Sequence, residues 1–148
     1  MDIQKYINQF SHLSVKIENG EKKPNKAIML LSVIDLIRCN YIVDNKIYIT
    51  PVLEATFLRN WSLYVNHYKP SCWIPFWHLK NESFWHFKPI ISLAFINTLA
   101  KPGETASLGR MKSAIQYAYL DEELYQMLKI KDTRDLLVST LLTSYLIK

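Results

Sequence analysis

The stretch that most constrains this chain is "AIMLLSVIDLI", residues 27 to 37, entered through "KPN". It is too long for a typical strand and too short and too interrupted for a membrane span. Its apolar residues leave almost no polar face, so a helix over residues 25 to 39 has to be wrapped by other elements on nearly every side. Pro24 precedes it and Asn25 is a candidate N-cap. The rest of the chain is therefore expected to supply a shell around one central helix.

That shell is legible in part. Residues 2 to 11 place Ile3, Tyr6, Ile7 and Phe10 on one side of a short helix. "NKIYIT" reads as a short strand, and Pro51 opens a helix with Leu53, Phe57, Trp61, Tyr64 and Val65 at helical spacing. "IPFWHLKNESFWHFKP", residues 74 to 89, alternates large apolar with polar residues on both sides of Asn81-Glu82, which predicts a β-hairpin. "IISLAFINTL" fits strand or helix; "SLGRMKSAIQYA", "LDEELYQML" and "DTRDLLVSTLLTSYLIK" predict helices, the last one long. The expected fold is mainly α (α+β), a helical domain around a small antiparallel hairpin or sheet.

At 148 residues, with 49% hydrophobic and 13% aromatic content, the chain has the material for one domain, 1 to 148, with its own core. "MDIQKYINQF" has no signal-peptide character, and no run is long enough to span a membrane, so a cytoplasmic location is expected. Cys39 and Cys72 stand apart and read as buried thiols in a reducing compartment.

Charge gives the first functional direction. The 18 Lys and Arg outnumber the 13 Asp and Glu, a net charge of +5 that favours polyanionic partners. Acids gather late, in "LDEEL" and "KDTRD". "KIENGEKKPNK" and "KPGETASLGRMK" carry Lys16, Lys22, Lys23, Lys26, Lys101, Arg110 and Lys112 in segments that read as loops running into helix starts, where backbone N–H groups also attract anions. The competing reading is solvated loops tuned for solubility.

Patterns for catalysis are not apparent in the sequence. Of His12, His67, His78 and His86, only His78 and His86 flank the predicted turn, and the roughly four ligands that a zinc site needs are not gathered beside them. Gly20, Gly103 and Gly109 form no phosphate loop, and Ser83 and Ser113 lie in no nucleophile elbow. A binding module without cofactor or metal is expected, not an enzyme.

The ordered blocks "KPNKAIMLLSVIDLI", "FLRNW", "PFWHLKNESFWHF", "GRMKSAIQYAYLDEELYQML" and "LLVSTLLTSYLI" give the chain a resemblance that covers roughly its whole length. It resembles the sulfur-binding domain of bacterial type IV HNH restriction endonucleases, which recognise phosphorothioate-modified DNA. Sulfur in place of a phosphate oxygen is large, soft and a poor hydrogen-bond acceptor, while the diester stays anionic. A reader should therefore pair an apolar dent with cations.

The resemblance implies a dent at Pro75 and Ile74, with His78 beside it, Asn25 and Lys26 at the start of the long helix, and Lys112 with Arg110 on a late helix. Lys22, Lys23 and Lys101 are expected to touch phosphates without reading sulfur. The implied partner is phosphorothioate-modified double-stranded DNA, with an HNH nuclease or another defence protein as a further one and no membrane. Family members often carry an aromatic residue where Ile74 stands, a smaller one at His78, histidine at Asn25 and arginine at Lys112. Nothing after Leu120 supplies the paired His and Asn of an HNH nuclease. The alternative is a protein-interaction or general DNA-binding module of a defence operon that has lost sulfur recognition.

Overall fold

A computed structural model describes residues 2–65, 70–90 and 108–147. Lys101 and most of "IISLAFINTL" lie outside the described residues, as does the side chain of Arg110.

The chain opens with α1 (Ile3–Ser11), capped by the Asp2 carboxylate, which accepts from Lys5 N–H and satisfies one orphan donor of the first turn. A two-residue hairpin follows, β1 (Ile17–Glu18) and β2 (Glu21–Lys22). Asn19 and Gly20 both have positive φ, 53° and 79°, the mirror-image turn that Asn-Gly favours. The sequence reading treated this segment as loop. Helix α2 (Asn25–Arg38) then runs through the centre. Asn25 is its first helical residue and not its cap; the cap position is Pro24, without a side-chain hydrogen bond.

Every residue of α2 from Lys26 to Ile34 is buried. It packs against α3 (Pro51–Tyr64), α4 (Trp73–His78) and two late helices, α6 (Glu122–Lys129) and α7 (Lys131–Leu141). Thr50 caps α3 by accepting from Leu53 N–H, with Pro51 at its first turn. Inside the α2–α3 contact, Asn60 Nδ2 donates to Ser32 Oγ at 3.1 Å and to Asp35 Oδ2 at 3.0 Å. Arg59 adds an ion pair to the same Asp35 oxygen at 3.1 Å. These polar groups set the rotation of the two helices; Phe57, Trp61 and Leu53 supply the burial, each worth about 1.5–3 kcal/mol.

The second sheet corrects the expected hairpin over residues 74 to 89. Trp73–His78 is the helix α4, Leu79–Asn81 a 3-10 turn, and only Trp85–Pro89 (β3) is a strand. Its antiparallel partner is β4 (Ile115–Leu120), paired from Trp85↔Leu120 to Lys88↔Tyr117 with an irregularity before Pro89. The helix expected over "SLGRMKSAIQYA" therefore stops at Ala114 as α5 (Leu108–Ala114) and turns into β4. The strand expected at "NKIYIT" shrinks to a bridge, in which Ile47 and Ala118 exchange backbone bonds of 2.7 and 2.9 Å.

The aromatics of the 74–89 stretch go mostly inward, as the amount of ring surface demands. Phe76 meets Trp85 edge-on at 5.3 Å, and Trp77 stacks on Phe87 at 5.3 Å. Helix α7 ends in a π-turn, Leu142–Leu146, in which Tyr145 Oη donates to Phe10 O and accepts from Leu13 N–H. Cys72 is buried as expected; Cys39 is exposed at the end of α2, where the chain leaves the core. The mainly α fold with small antiparallel sheets is thus present. Among the described residues no helix is long and apolar enough to cross a membrane.

Candidate nucleic-acid interface

Helix α4 carries three of the residues expected to form a dent. Pro75 sits in its first turn, where the missing N–H would have had no helical acceptor, so the ring removes no helical hydrogen bond. The ring itself is buried. Ile74 is 37% exposed and His78 is exposed; four residues apart on a helix, they lie on the same face. The outward surface of α4 is therefore an isoleucine and an imidazole over a buried proline.

Cations gather at the C-terminal end of this short helix. Partial burial of the ring, which is otherwise exposed, leads the causes that hold His78 below its ordinary value, followed by the positive charges of Lys26, Lys80 and Lys16. Lys80 also lies over the Trp77 ring, 5.6 Å from its centroid. At the other end of α4 the Cys72 thiol is pushed up to about 12, chiefly by burial, with Glu54 raising it and Lys112 lowering it. Lys112 and Glu54 thus act near the start of α4, roughly 9 Å of helix away from the end that carries His78.

Lys26 is positioned differently from the expected free cation. Its Nζ donates to Ser14 O and to Glu82 Oε2, both at 2.6 Å. Glu82 in turn accepts from Ser14 N–H at 3.1 Å. The ammonium is sequestered in this arrangement, and its direct hydrogen bonds are made inside the protein. Its field still reaches His78.

Asn25 is half-buried at the first turn of α2, one residue from Lys26. Lys23 N–H donates to Lys16 O, and the Lys23 ammonium is 3.3 Å from Glu18. Lys22 is exposed on β2, with its ammonium 5.3 Å from the Tyr145 ring centroid. Lys112 is exposed on α5, the helix that also contains Arg110.

The fold therefore brings together Ile74, Pro75, His78 and Lys26. Lys112, on α5, acts at the opposite end of α4, at Cys72, and Lys22 and Lys23 belong to the adjoining hairpin. Sequence reasoning missed Lys80 and gave Lys16 no place beside His78. The i, i+3 relation of Trp77 to Lys80 is a signal only once the segment is read as helix. Glu82 was read as a turn residue, and its burial against Lys26 has no local signature.

Among the described residues no group of three or more His, Cys, Asp and Glu side chains is arranged to hold a metal ion. Comparison with protein-family models and with curated proteins returns no match to this chain.

Proposed function

We propose that this chain is a double-stranded DNA-binding module that reads a phosphorothioate linkage at the exposed face of α4, as the reader part of a modification-dependent restriction or defence system. The observation that carries the reading is the pairing of an exposed apolar side chain, Ile74, with an imidazole, His78, in the field of Lys16, Lys26 and Lys80. Sulfur is weakly hydrated and is stabilised against carbon; the anionic diester that carries it is stabilised by nearby cations. Ile74, backed by the buried Pro75, supplies the first. His78, when protonated, and the lysines supply the second. Lys26 takes part through its field and by holding Ser14 and Glu82 at the edge of the site. In this reading the chain binds and does not cut.

The test is a titration of a short duplex carrying one phosphorothioate linkage of each stereochemistry, beside its unmodified twin, across a salt series. We expect at least about tenfold tighter binding of one modified form, equivalent to about 1.4 kcal/mol. Equal affinities would refute sulfur reading. The burial of the Pro75 ring and the neutralisation of Lys26 by Glu82 favour a second reading, a general DNA-binding or protein-docking module that has lost sulfur recognition. Salt-dependent binding of both duplexes alike selects its DNA-binding form, and no binding of either selects the protein-docking form.

A further inference from the structure

The β3–β4 sheet has a second face that the site on α4 does not use. Trp85, Ala118 and Leu120 point into the core, so the residues between them on each strand point out. His86 opposes Tyr119 and Lys88 opposes Tyr117 across the pair. The Ile47 bridge adds a third edge: with Ile47 buried against Ala118, its neighbours Lys46 and Tyr48 turn outward beside Tyr117. Asn45 anchors this edge, its side chain donating to Leu120 O at 2.7 Å and accepting from Leu120 N–H at 2.9 Å.

The result is a row of rings. Tyr48 lies 5.7 Å from Tyr117, Tyr117 lies 6.2 Å from Tyr119, and Tyr119 lies 5.1 Å from His86, centroid to centroid. Lys46 Nζ stands 5.5 Å from the Tyr117 centroid. Tyr48 is 47% exposed, Tyr117 and Tyr119 are half-buried, and Lys46 and Lys88 are exposed. Beyond Tyr48 the surface dips into an open cavity of about 200 Å³, lined by Tyr41, Ile42, Val43 and Leu36 among others. That is below the roughly 300 Å³ at which pockets for drug-sized ligands begin.

We propose that this face is a stacking platform for single-stranded DNA, with unpaired bases laid on Tyr48, Tyr117 and Tyr119 and the backbone passing Lys46 and Lys88. The rings are tilted against one another, 56° between Tyr48 and Tyr117 and 63° between Tyr117 and Tyr119. They stand farther apart than the about 3.4 Å rise per nucleotide of a stacked strand, so the bases would be splayed one to a ring and not stacked on each other. Base–aromatic stacking tolerates any sequence, since every base has a π-face, and the interleaved lysines complement the phosphates. Two acids border the row. Asp121 has its oxygens engaged by Tyr6 and His86, and Asp44 stands at the cavity rim beside Lys46. The choice of DNA over RNA rests on the proposed function; the platform itself rests on the rings and lysines.

The test uses the full chain and a fluorescent oligothymidylate of about a dozen nucleotides, within the range of single-strand sites, followed by anisotropy at low salt. Tyr48→Ala and Tyr117→Ala should each weaken binding at least about fivefold, and Tyr117→Phe, which keeps the ring face, should bind like the parent. Tyr48 is exposed, so its variant tests the platform even where Tyr117→Ala disturbs the sheet. Unchanged affinity in Tyr48→Ala and in a folded Tyr117→Ala overturns the platform. Tighter binding of oligouridylate than of oligothymidylate overturns DNA as its occupant. Tyrosine-dependent oligothymidylate binding in a protein with no preference for the modified duplex supports the platform and refutes the sulfur-reading function; retained duplex preference in Tyr48→Ala supports two separate faces.

Discussion

Lys26 Nζ lies 2.6 Å from Glu82 Oε2, and each side chain is only 8% exposed. Together they hold both backbone groups of Ser14, its carbonyl through Lys26 and its N–H through Glu82. This pair joins the start of α2, the segment after α1 and the turn before β3, directly beside the surface proposed to meet DNA. Removing one partner leaves the other charge buried without compensation. We therefore expect Glu82→Ala to lower unfolding stability by about 3–5 kcal/mol, measured in urea. A loss under about 1 kcal/mol would show that water reaches the pair readily.

On the proposed function, His78 should make DNA binding pH-dependent with a definite sign. Burial and the neighbouring lysines hold its value below 6.5 in the free protein, and the negative charge of a phosphate beside it favours the imidazolium against them. Binding should then take up a proton, and affinity for duplex DNA should rise as pH falls below about 6.5. His78→Gln should flatten that rise. Stability runs the opposite way: the folded state resists protonation, so the His78 contribution is complete above the unfolded value and is lost as pH falls towards the depressed folded value. Titrations and thermal melts over the same pH series check both slopes.

Ile74 separates shape from charge. Because it is exposed on the first turn of α4, where a carboxylate is tolerated by the helix dipole, Ile74→Asp should fold normally. It should weaken both modified and unmodified duplexes by about tenfold or more, since like charges repel at close range, and the modified one further through the lost apolar contact. Pro75→Gly should instead erase most of the preference for modified DNA while leaving weak general binding. The Pro75 ring is buried, so circular dichroism must first establish that this variant is folded. A folded Pro75→Gly protein with full preference would move the sulfur site away from α4.

Asn45 extends the sheet with a side chain. Its amide makes both bonds that a neighbouring strand would have made to Leu120, and Asn45→Ala leaves that N–H and carbonyl to find water. We expect a loss of about 1–3 kcal/mol, with faster amide exchange at Leu120 and Ala118. An unchanged exchange rate there would mean that the Ile47 bridge alone holds this edge.

The helices were legible where local chemistry and the apolar pattern agree. The all-round apolar α2, the Thr50-Pro51 start of α3 and the amphipathic α1 need no knowledge of their neighbours. The Asn-Gly turn of β1–β2 was equally local, but its two-residue strands are exposed and leave no apolar alternation to notice. The site was legible only as residue types. Pro75, His78 and Lys26 were expected near one another through resemblance, whereas the partnership of Lys26 with Glu82 spans 56 positions and has no local trace.

By itself the sequence determined that a single apolar helix would be enclosed, and which segments had the pattern to enclose it. Tertiary structure decided the rest at three places. Residues 74 to 81 became helix and turn because Phe76, Trp77 and Leu79 could all be buried against α2 and β3, a packing that alternation alone does not rank above a strand. Residues 115 to 120 became a strand because Trp85–Pro89 presented an open edge and backbone groups must be paired. Lys26 became a buried ion because Glu82, 56 positions away in the sequence, was brought against it. Each outcome depends on a partner distant in sequence, and burial and hydrogen bonding reward the pair only once folding has brought it together.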